Sequence, residues 1–305
     1  MSSINIVIPR DFAQFTIARE GSAGCCWLET LPALIETLCK RWRLTLEGDV
    51  VHGGMALILP ARRENEPAIL KISWIDESTK DEAAALLAWG GQGAVRLFEY
   101  GPALGAMLLE RLNNRSSLST IEITPAITIA GHLLRRLAIP PPTSLFPSLQ
   151  TTATTFVHTF IQRWEHSDYP TPRHVLDQAR SLAKQLSASP ENHLLVDYDL
   201  HYANILASQR EPWLAIDPKV IIGDPEFGIA QLLWCRLEDI QAHRGLKYHF
   251  QALTEAAALN YARARSWTFV RCVDYWLWSV SVGLTTDPAR CQTIIDWLLR
   301  ENHAS

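Results

Sequence analysis

A chain of 305 residues with 48% apolar content is long enough to bury one large core or the cores of two lobes. Its net charge of −4, from 28 Lys plus Arg against 32 Asp plus Glu, provides no basic field for a polyanion, which argues against nucleic acid as the main partner and leaves room for a neutral or cationic small molecule. The six cysteines, Cys25, Cys26, Cys39, Cys235, Cys272 and Cys291, form no C-x-x-C pair and follow no secretory signal, so free thiols in a reducing cytoplasm are expected. No apolar run reaches the roughly 18 residues needed to cross a bilayer; Phe269 to Leu284 comes nearest and is broken by Arg271 and Asp274. A soluble, unprocessed cytoplasmic protein with no membrane partner is the expectation; oligomeric state is not legible.

In chain order, Thr30 followed by L-P-A-L-I-E-T-L-C-K-R-W predicts a capped helix with proline in its first turn and Leu34, Ile35, Leu38 and Trp42 on one face. M-A-L-I-L-P-A and A-I-L-K-I-S-W, separated by the charged R-R-E-N-E-P, predict a hairpin between Thr45 and Trp74. Asp81 to Trp89 predicts a helix, and A-V-R-L-F-E-Y and A-M-L-L-E-R-L predict two further strands. Apolar periodicity stops in the polar stretch Asn113, Asn114, Arg115, Ser116 and Ser117, where a lobe boundary is placed. The expected division is 1–112 and 113–305.

Beyond that boundary Pro140, Pro141, Pro142 and Pro147 impose an extended connection. The stripes Phe156, Val157, Phe160, Ile161, Trp164 and Val175, Leu176, Ala179, Leu182, Leu186 then predict two helices with core-facing sides. Leu194 to Pro218 predicts two short strands bracketing S-Q-R-E-P, and helices fill most of the remainder. Trp267, Trp276 and Trp278 read as core aromatics at helical spacing.

The chemistry is concentrated in L-L-V-D-Y-D-L-H-Y-A-N-I-L-A-S-Q-R-E-P-W-L-A-I-D-P. Asp199, Asn204 five residues later and Asp217 at the end of a following apolar strand are what phosphoryl transfer asks of a polypeptide. Asp199 is the candidate base for an acceptor hydroxyl, and Asn204 and Asp217 are candidate Mg²⁺ ligands; the alternative is a set of solvated turn residues. Lys71 lies inside an apolar strand, where a charge needs a partner, and Glu82 on the next helix is the candidate; together they suit a phosphate-holding pair. The alternative is an edge-strand lysine in water. Gly53 and Gly54 suit backbone approach to phosphates or an ordinary hairpin turn, while the absence of G-x-x-x-x-G-K-S/T excludes a Walker-type ATPase.

The order L-P-A-R-R, A-I-L-K-I-S-W, E-A-A-A-L-L-A-W with G-A-V-R-L, M-L-L-E-R-L, D-L-H-Y-A-N, A-I-D-P-K and G-D-P-E-F, from Trp27 to Trp278, resembles the aminoglycoside phosphotransferase superfamily. Within it the chain is similar to the branch of streptomycin 6-phosphotransferases and hydroxyurea phosphotransferases. The resemblance implies an α+β, bilobal protein-kinase-like fold with a small β-rich N-lobe for nucleotide and a larger, mainly helical C-lobe carrying the catalytic loop and acceptor site. It implies ATP and Mg²⁺ as cofactors and a small-molecule hydroxyl as acceptor. It also implies that Glu110, Arg111 and Leu112 form a hinge whose backbone meets adenine, and that Met55, Ala56 and Ile216 line the nucleotide pocket.

Two departures from the family pattern stand out. Asp197-Tyr198 replaces the usual His-Gly before the catalytic Asp, and Gly228 replaces a second Asp in G-D-P-x-x-D, which leaves Asp224 to brace the loop. A cationic acceptor calls for acidic surroundings, for which Asp197, Glu226, Glu238, Asp239 and Asp274 are candidates. A nucleotide-binding pseudoenzyme acting as a regulatory module is the competing function.

Overall fold

The alternation of apolar residues in the hairpin dictates a two-faced sheet. In the computed structural model, which describes residues 6–142 and 146–303, β1 (Leu44–Leu46), β2 (Val51–His52), β3 (Ala56–Arg63), β4 (Glu66–Ser73), β5 (Leu97–Gly101) and β6 (Ala106–Glu110) form one six-stranded antiparallel sheet. Its order is β1-β3-β4-β6-β5, with β2 also on β3. Leu57, Leu59 and Ala61 of β3, Ala68, Leu70 and Ile72 of β4, and Ala106 and Leu108 of β6 share a face at the two-residue period of a strand. That face packs on α1 (Arg10–Trp42) through Phe12, Leu31, Ile35, Leu38 and Trp42. Lys71 falls on the opposite face, level with Ile58 of β3 and Met107 of β6.

The helix expected to begin at Thr30 is part of a longer helical run, Arg10–Trp42, made of two helices that meet at a kink at Gly21 (φ 60°, ψ −135°), and the second passes through Thr30 and Pro32. Thr30 is no cap, since its hydroxyl donates back to the Trp27 carbonyl at 2.7 Å. A threonine two residues before a proline carries the same signature at a helix start and within a helix, and here Leu31 and Ile35, packed on the sheet, hold the second helix together across Pro32. α2 (Glu82–Trp89) completes this unit, which comprises the described residues through Gly91 together with Val95–Leu112.

Gln92–Ala94 and the described residues from Asn113 onward form a second compact unit. Its helices are α3 (Ile123–Leu137), α4 (Leu149–His166), α5 (Arg173–Ala188), α6 (Ala230–Trp234), α7 (Leu237–His243), α8 (Gly245–Ala257), α9 (Tyr261–Ser281) and α10 (Thr286–His303). α3 packs on α8, α4 on α5 and α9 on α10. The stripes of α4 and α5 bury Phe156, Phe160, Val175, Leu176, Ala179 and Leu186, whereas Val157, Ile161, Trp164 and Leu182 lie only partly covered at their edges.

The polar stretch Asn113–Ser117 is itself a strand, β7, pairing with β9 (Ile205–Ala207), which in turn pairs with β10 (Trp213–Ala215). Backbone pairing holds it although its side chains are mainly exposed, so no apolar alternation marks it. A second ladder joins β8 (Leu194–Asp197) to β11 (Val220–Gly223). Among the described residues no helix is long and apolar enough to cross a membrane, and all six cysteines are free.

Candidate active site

Lys71 is no edge-strand lysine. β4 lies between β3 and β6, and the side chain is buried with its Nζ 2.7 Å from both Oε1 and Oε2 of Glu82. A charge at this depth is tolerated because a second charge, supplied by the first turn of α2, lies against it.

The turn between β2 and β3 carries Gly53 and Gly54. Neither has a positive φ, and a Cβ built on either would meet nothing within 4 Å. The hairpin therefore has no need of glycine at these positions, and the bare backbone remains open to a ligand. α1 steadies this turn: Arg19 donates to the Gly54 carbonyl at 3.0 Å, and His52 bridges the Gly53 carbonyl and Asp11 Oδ2, both at 3.0 Å. The Gly53 carbonyl and then Asp11 raise the His52 pKa above its ordinary value. At the far end of the sheet, Glu110 closes β6 with its N–H on the Arg96 carbonyl (2.9 Å), Arg111 pairs with Glu47 (2.9 Å), and Leu112 is the last residue of this unit.

In the second unit the loop after β8 is positioned by two ladders. β8 and β11 pair through Asp197 and Val220, and the Tyr198 N–H extends the ladder to the Lys219 carbonyl at 2.9 Å. Asp197 Oδ1 accepts the backbone N–H groups of Asp199 (3.1 Å) and Lys219 (3.3 Å). Burial, reinforced by the charge of Asp199, pushes the Asp197 carboxyl well above the usual carboxylate range. The support expected from a His-Gly pair thus comes from a buried acid. Tyr198 adds its ring, packed near Phe227 at 5.9 Å under the guanidinium of Arg271, which also donates to the Tyr198 carbonyl at 3.3 Å.

Beyond Asp199 the chain is anchored by Leu200 and Tyr202, both buried, with the Tyr202 hydroxyl donating to the Leu232 carbonyl at 2.9 Å. A short 3₁₀ turn over Tyr202–Asn204 delivers Asn204 to the head of β9. The β9–β10 ladder then continues one step, the Ile216 N–H donating to the Asn204 carbonyl at 2.9 Å, which places Asp217 directly after Asn204's backbone partner. Asp217 takes a left-handed conformation (φ 52°) and is exposed, while Asn204 and Asp199 are half-buried. Local structure thus brings Asn204 and Asp217 together and keeps Asp199 within the same loop system.

Lys219, two residues beyond Asp217, is a site residue that motif spacing did not single out. Its Nζ lies 2.9 Å from Asp199 Oδ2. Burial is the largest single influence and acts to lower its pKa, but the charge and hydrogen bond of Asp199, with smaller contributions from Tyr198 and Asp217, together outweigh it, so the ammonium sits above the ordinary lysine value. The sequence signal was present in A-I-D-P-K, a lysine beside a candidate metal ligand.

Other expectations resolve differently. Asp224 does not brace the catalytic loop; it is buried beneath Arg263 and Trp267 Nε1 (3.0 Å) and accepts the N–H groups of Glu191 and Asn192. Gly228 leaves no space for a second acid, since a Cβ there would lie 2.8 Å from the Asp197 carbonyl. Of the candidate acidic surface, Asp197 and Glu226 are buried, Glu238 pairs with Arg290, Asp239 with Arg236, and Asp274 with Arg163 and Arg271. Trp267 and Trp276 are core residues as expected, but Trp278 is 47% exposed and stacks on Tyr275, which stacks in turn on Trp234.

The chain is similar to known proteins over most of its length. The chain is 36% identical to a streptomycin 6-kinase of Streptomyces glaucescens over 95% of its own length and 96% of that protein. It is 35% identical to a hydroxyurea phosphotransferase of Kitasatospora aureofaciens, covering 96% of this chain and 86% of the relative. Among solved structures, the aminoglycoside phosphotransferase APH(4)-Ia in complex with AMP-PNP and hygromycin B superposes with a TM-score of 0.65 at 14% identity, covering 88% of this chain and 99% of that one. A choline kinase of Cryptosporidium parvum superposes with a TM-score of 0.59 at 12% identity over 89% and 95%. These likenesses establish the α+β, protein-kinase-like fold. Residues 41–283 match the sequence model of aminoglycoside/hydroxyurea antibiotic resistance kinases, and with full-length relatives above one-third identity the chain belongs to that family.

Proposed function

We propose that the protein is an ATP- and Mg²⁺-dependent O-phosphotransferase whose acceptor is a hydroxyl of a small molecule, an aminoglycoside of the streptomycin kind or a hydroxyurea-like compound. The observation that carries this reading is the loop system of Asp199, Asn204 and Asp217, in which a hydrogen-bonded ladder fixes the amide beside one acid while a buried carboxylate and a lysine fix the other. Family membership supplies the reaction class.

The donor set fits the cofactors. Asn204 and Asp217 offer an amide oxygen and one carboxylate, suited to Mg²⁺, which prefers oxygen ligands and takes the rest of its shell from water and phosphates. When bound, the ion would neutralise phosphate charge. In this proposal Lys71, steadied by Glu82, holds the α- and β-phosphates, the backbone at Gly53 and Gly54 covers them, and Glu110, Arg111 and Leu112 receive adenine through their main chain. Residues 1–112 then serve as the nucleotide lobe, and 113–305 carry the catalytic loop and acceptor site.

Asp199 orients the acceptor hydroxyl and takes its proton as the oxygen attacks the γ-phosphorus and ADP departs. Phosphoryl transfer asks the protein for positioning and charge stabilisation more than for covalent chemistry, which is what this loop is built to give. The intact Lys71–Glu82 pair and the three loop residues speak against a pseudoenzyme. A supply of ATP and Mg²⁺ and six free thiols suit a cytoplasmic setting. The test is transfer of labelled γ-phosphate from Mg·ATP to a panel of streptomycin, other aminoglycosides and hydroxyurea; binding of Mg·ATP with no acceptor phosphorylated would instead favour a regulatory module.

A further inference from the structure

The Lys219–Asp199 ion pair is built rather than incidental. The β8–β11 ladder fixes the Lys219 backbone, with its carbonyl accepting from Tyr198 (2.9 Å) and its N–H donating to Asp197 Oδ1 (3.3 Å). The same Asp197 oxygen receives the Asp199 N–H (3.1 Å), so one buried carboxylate anchors the backbones of both members of the pair. The ladder constrains the lysine backbone but leaves its side chain free to rotate; 38% exposed, it nevertheless turns to Asp199 Oδ2 at 2.9 Å. With the lysine 38% and the aspartate 20% exposed, water still screens the pair, so its contribution to stability is modest and does not by itself account for it.

Reactivity does account for it. A cation beside a base weakens the base, but in a loose phosphoryl-transfer transition state the acceptor oxygen has formed little bond to phosphorus and its proton is still largely in place, so aim matters more than basicity. We infer that Lys219 is a positioning residue for phosphoryl transfer, its ammonium holding Asp199 by Oδ2 so that Oδ1 is presented to the acceptor hydroxyl. The acceptor oxygen forms a bond to the γ-phosphorus, the bond from that phosphorus to the bridging oxygen of ADP breaks, and the hydroxyl proton passes to Asp199. Lys219 keeps all its protons. The inference rests on the functional reading above, in which Asp199 is the base.

The test uses the full chain with Mg·ATP and either streptomycin or hydroxyurea as acceptor. Lys219→Met is expected to lower kcat by about 10- to 100-fold, with the KM for ATP changed by less than about threefold, and Lys219→Arg is expected to recover most of the loss. Because Lys219 acts through Asp199, combining Lys219→Met with Asp199→Asn should cost no more than Asp199→Asn alone, within about threefold. Lys219→Gln replaces Lys219→Met if circular dichroism shows the latter to be unfolded. Undiminished kcat in the lysine variants, or losses that multiply in the double variant, would overturn the inference while leaving the kinase reading intact. Failure of the unsubstituted protein to phosphorylate streptomycin, any other aminoglycoside of the panel or hydroxyurea would overturn both.

Discussion

The Lys71 ammonium lies 2.7 Å from each carboxylate oxygen of Glu82, and both side chains are almost closed to water. Removing one partner strands the other charge in the interior. Glu82→Ala is therefore expected to destabilise the first unit by about 3–5 kcal/mol and to raise the KM for ATP, as read by urea unfolding and steady-state kinetics. An unchanged unfolding midpoint would contradict the burial of the pair.

Asp199→Asn is expected to keep fold and Mg·ATP affinity while lowering kcat by about 10²- to 10⁴-fold, the range for loss of a general base. Asp217→Asn should act on a different quantity, weakening Mg²⁺-dependent ATP binding in calorimetry. Equal effects of the two substitutions on nucleotide affinity would show that the roles are wrongly divided.

Asp197 gives a pH signature. Its folded pKa is raised well above the ordinary value by burial and then by Asp199, so the native state binds a proton that the unfolded chain gives up. The stability this contributes is fully present below the unfolded carboxylate pKa, about 3.9, and is lost as pH rises through the folded pKa. Asp197→Asn, which cannot titrate, should flatten that decline, and its stability relative to the unsubstituted protein should improve from pH 4 to pH 8. Parallel pH profiles of unfolding for the two proteins would refute the assignment.

The two kinds of glycine should behave oppositely. Gly228→Ala places a Cβ 2.8 Å from the Asp197 carbonyl and is expected to cost about 1–3 kcal/mol in chemical unfolding. Gly53→Ala and Gly54→Ala meet open space, so stability should hold within about 0.5 kcal/mol while the KM for ATP rises.

What was legible in the sequence follows from what side-chain order encodes. Alternation in A-I-L-K-I-S-W exposed Lys71 as the misfit of a buried strand, and the short-range spacing of Asp199, Asn204 and Asp217 survived folding because one turn and one hairpin connect them. The strand at Asn113–Ser117 was hidden because it is held by backbone pairing alone, and the start of α1 because Thr30 and Pro32 carry the same signature at a helix start and within a helix. Asp224 was misassigned because its partners, Arg263 and Trp267, lie about forty residues along the chain. Lys219 acquires meaning only once the β8–β11 ladder sets it beside Tyr198 and brings its side chain to Asp199.

The central claim is tested most directly by phosphate transfer from labelled Mg·ATP to streptomycin and hydroxyurea, comparing the unsubstituted protein with Asp199→Asn at saturating nucleotide. The account predicts acceptor phosphorylation that the substitution all but abolishes while nucleotide binding persists. Equal turnover by both proteins, or none by the unsubstituted protein on any hydroxyl acceptor, would contradict it.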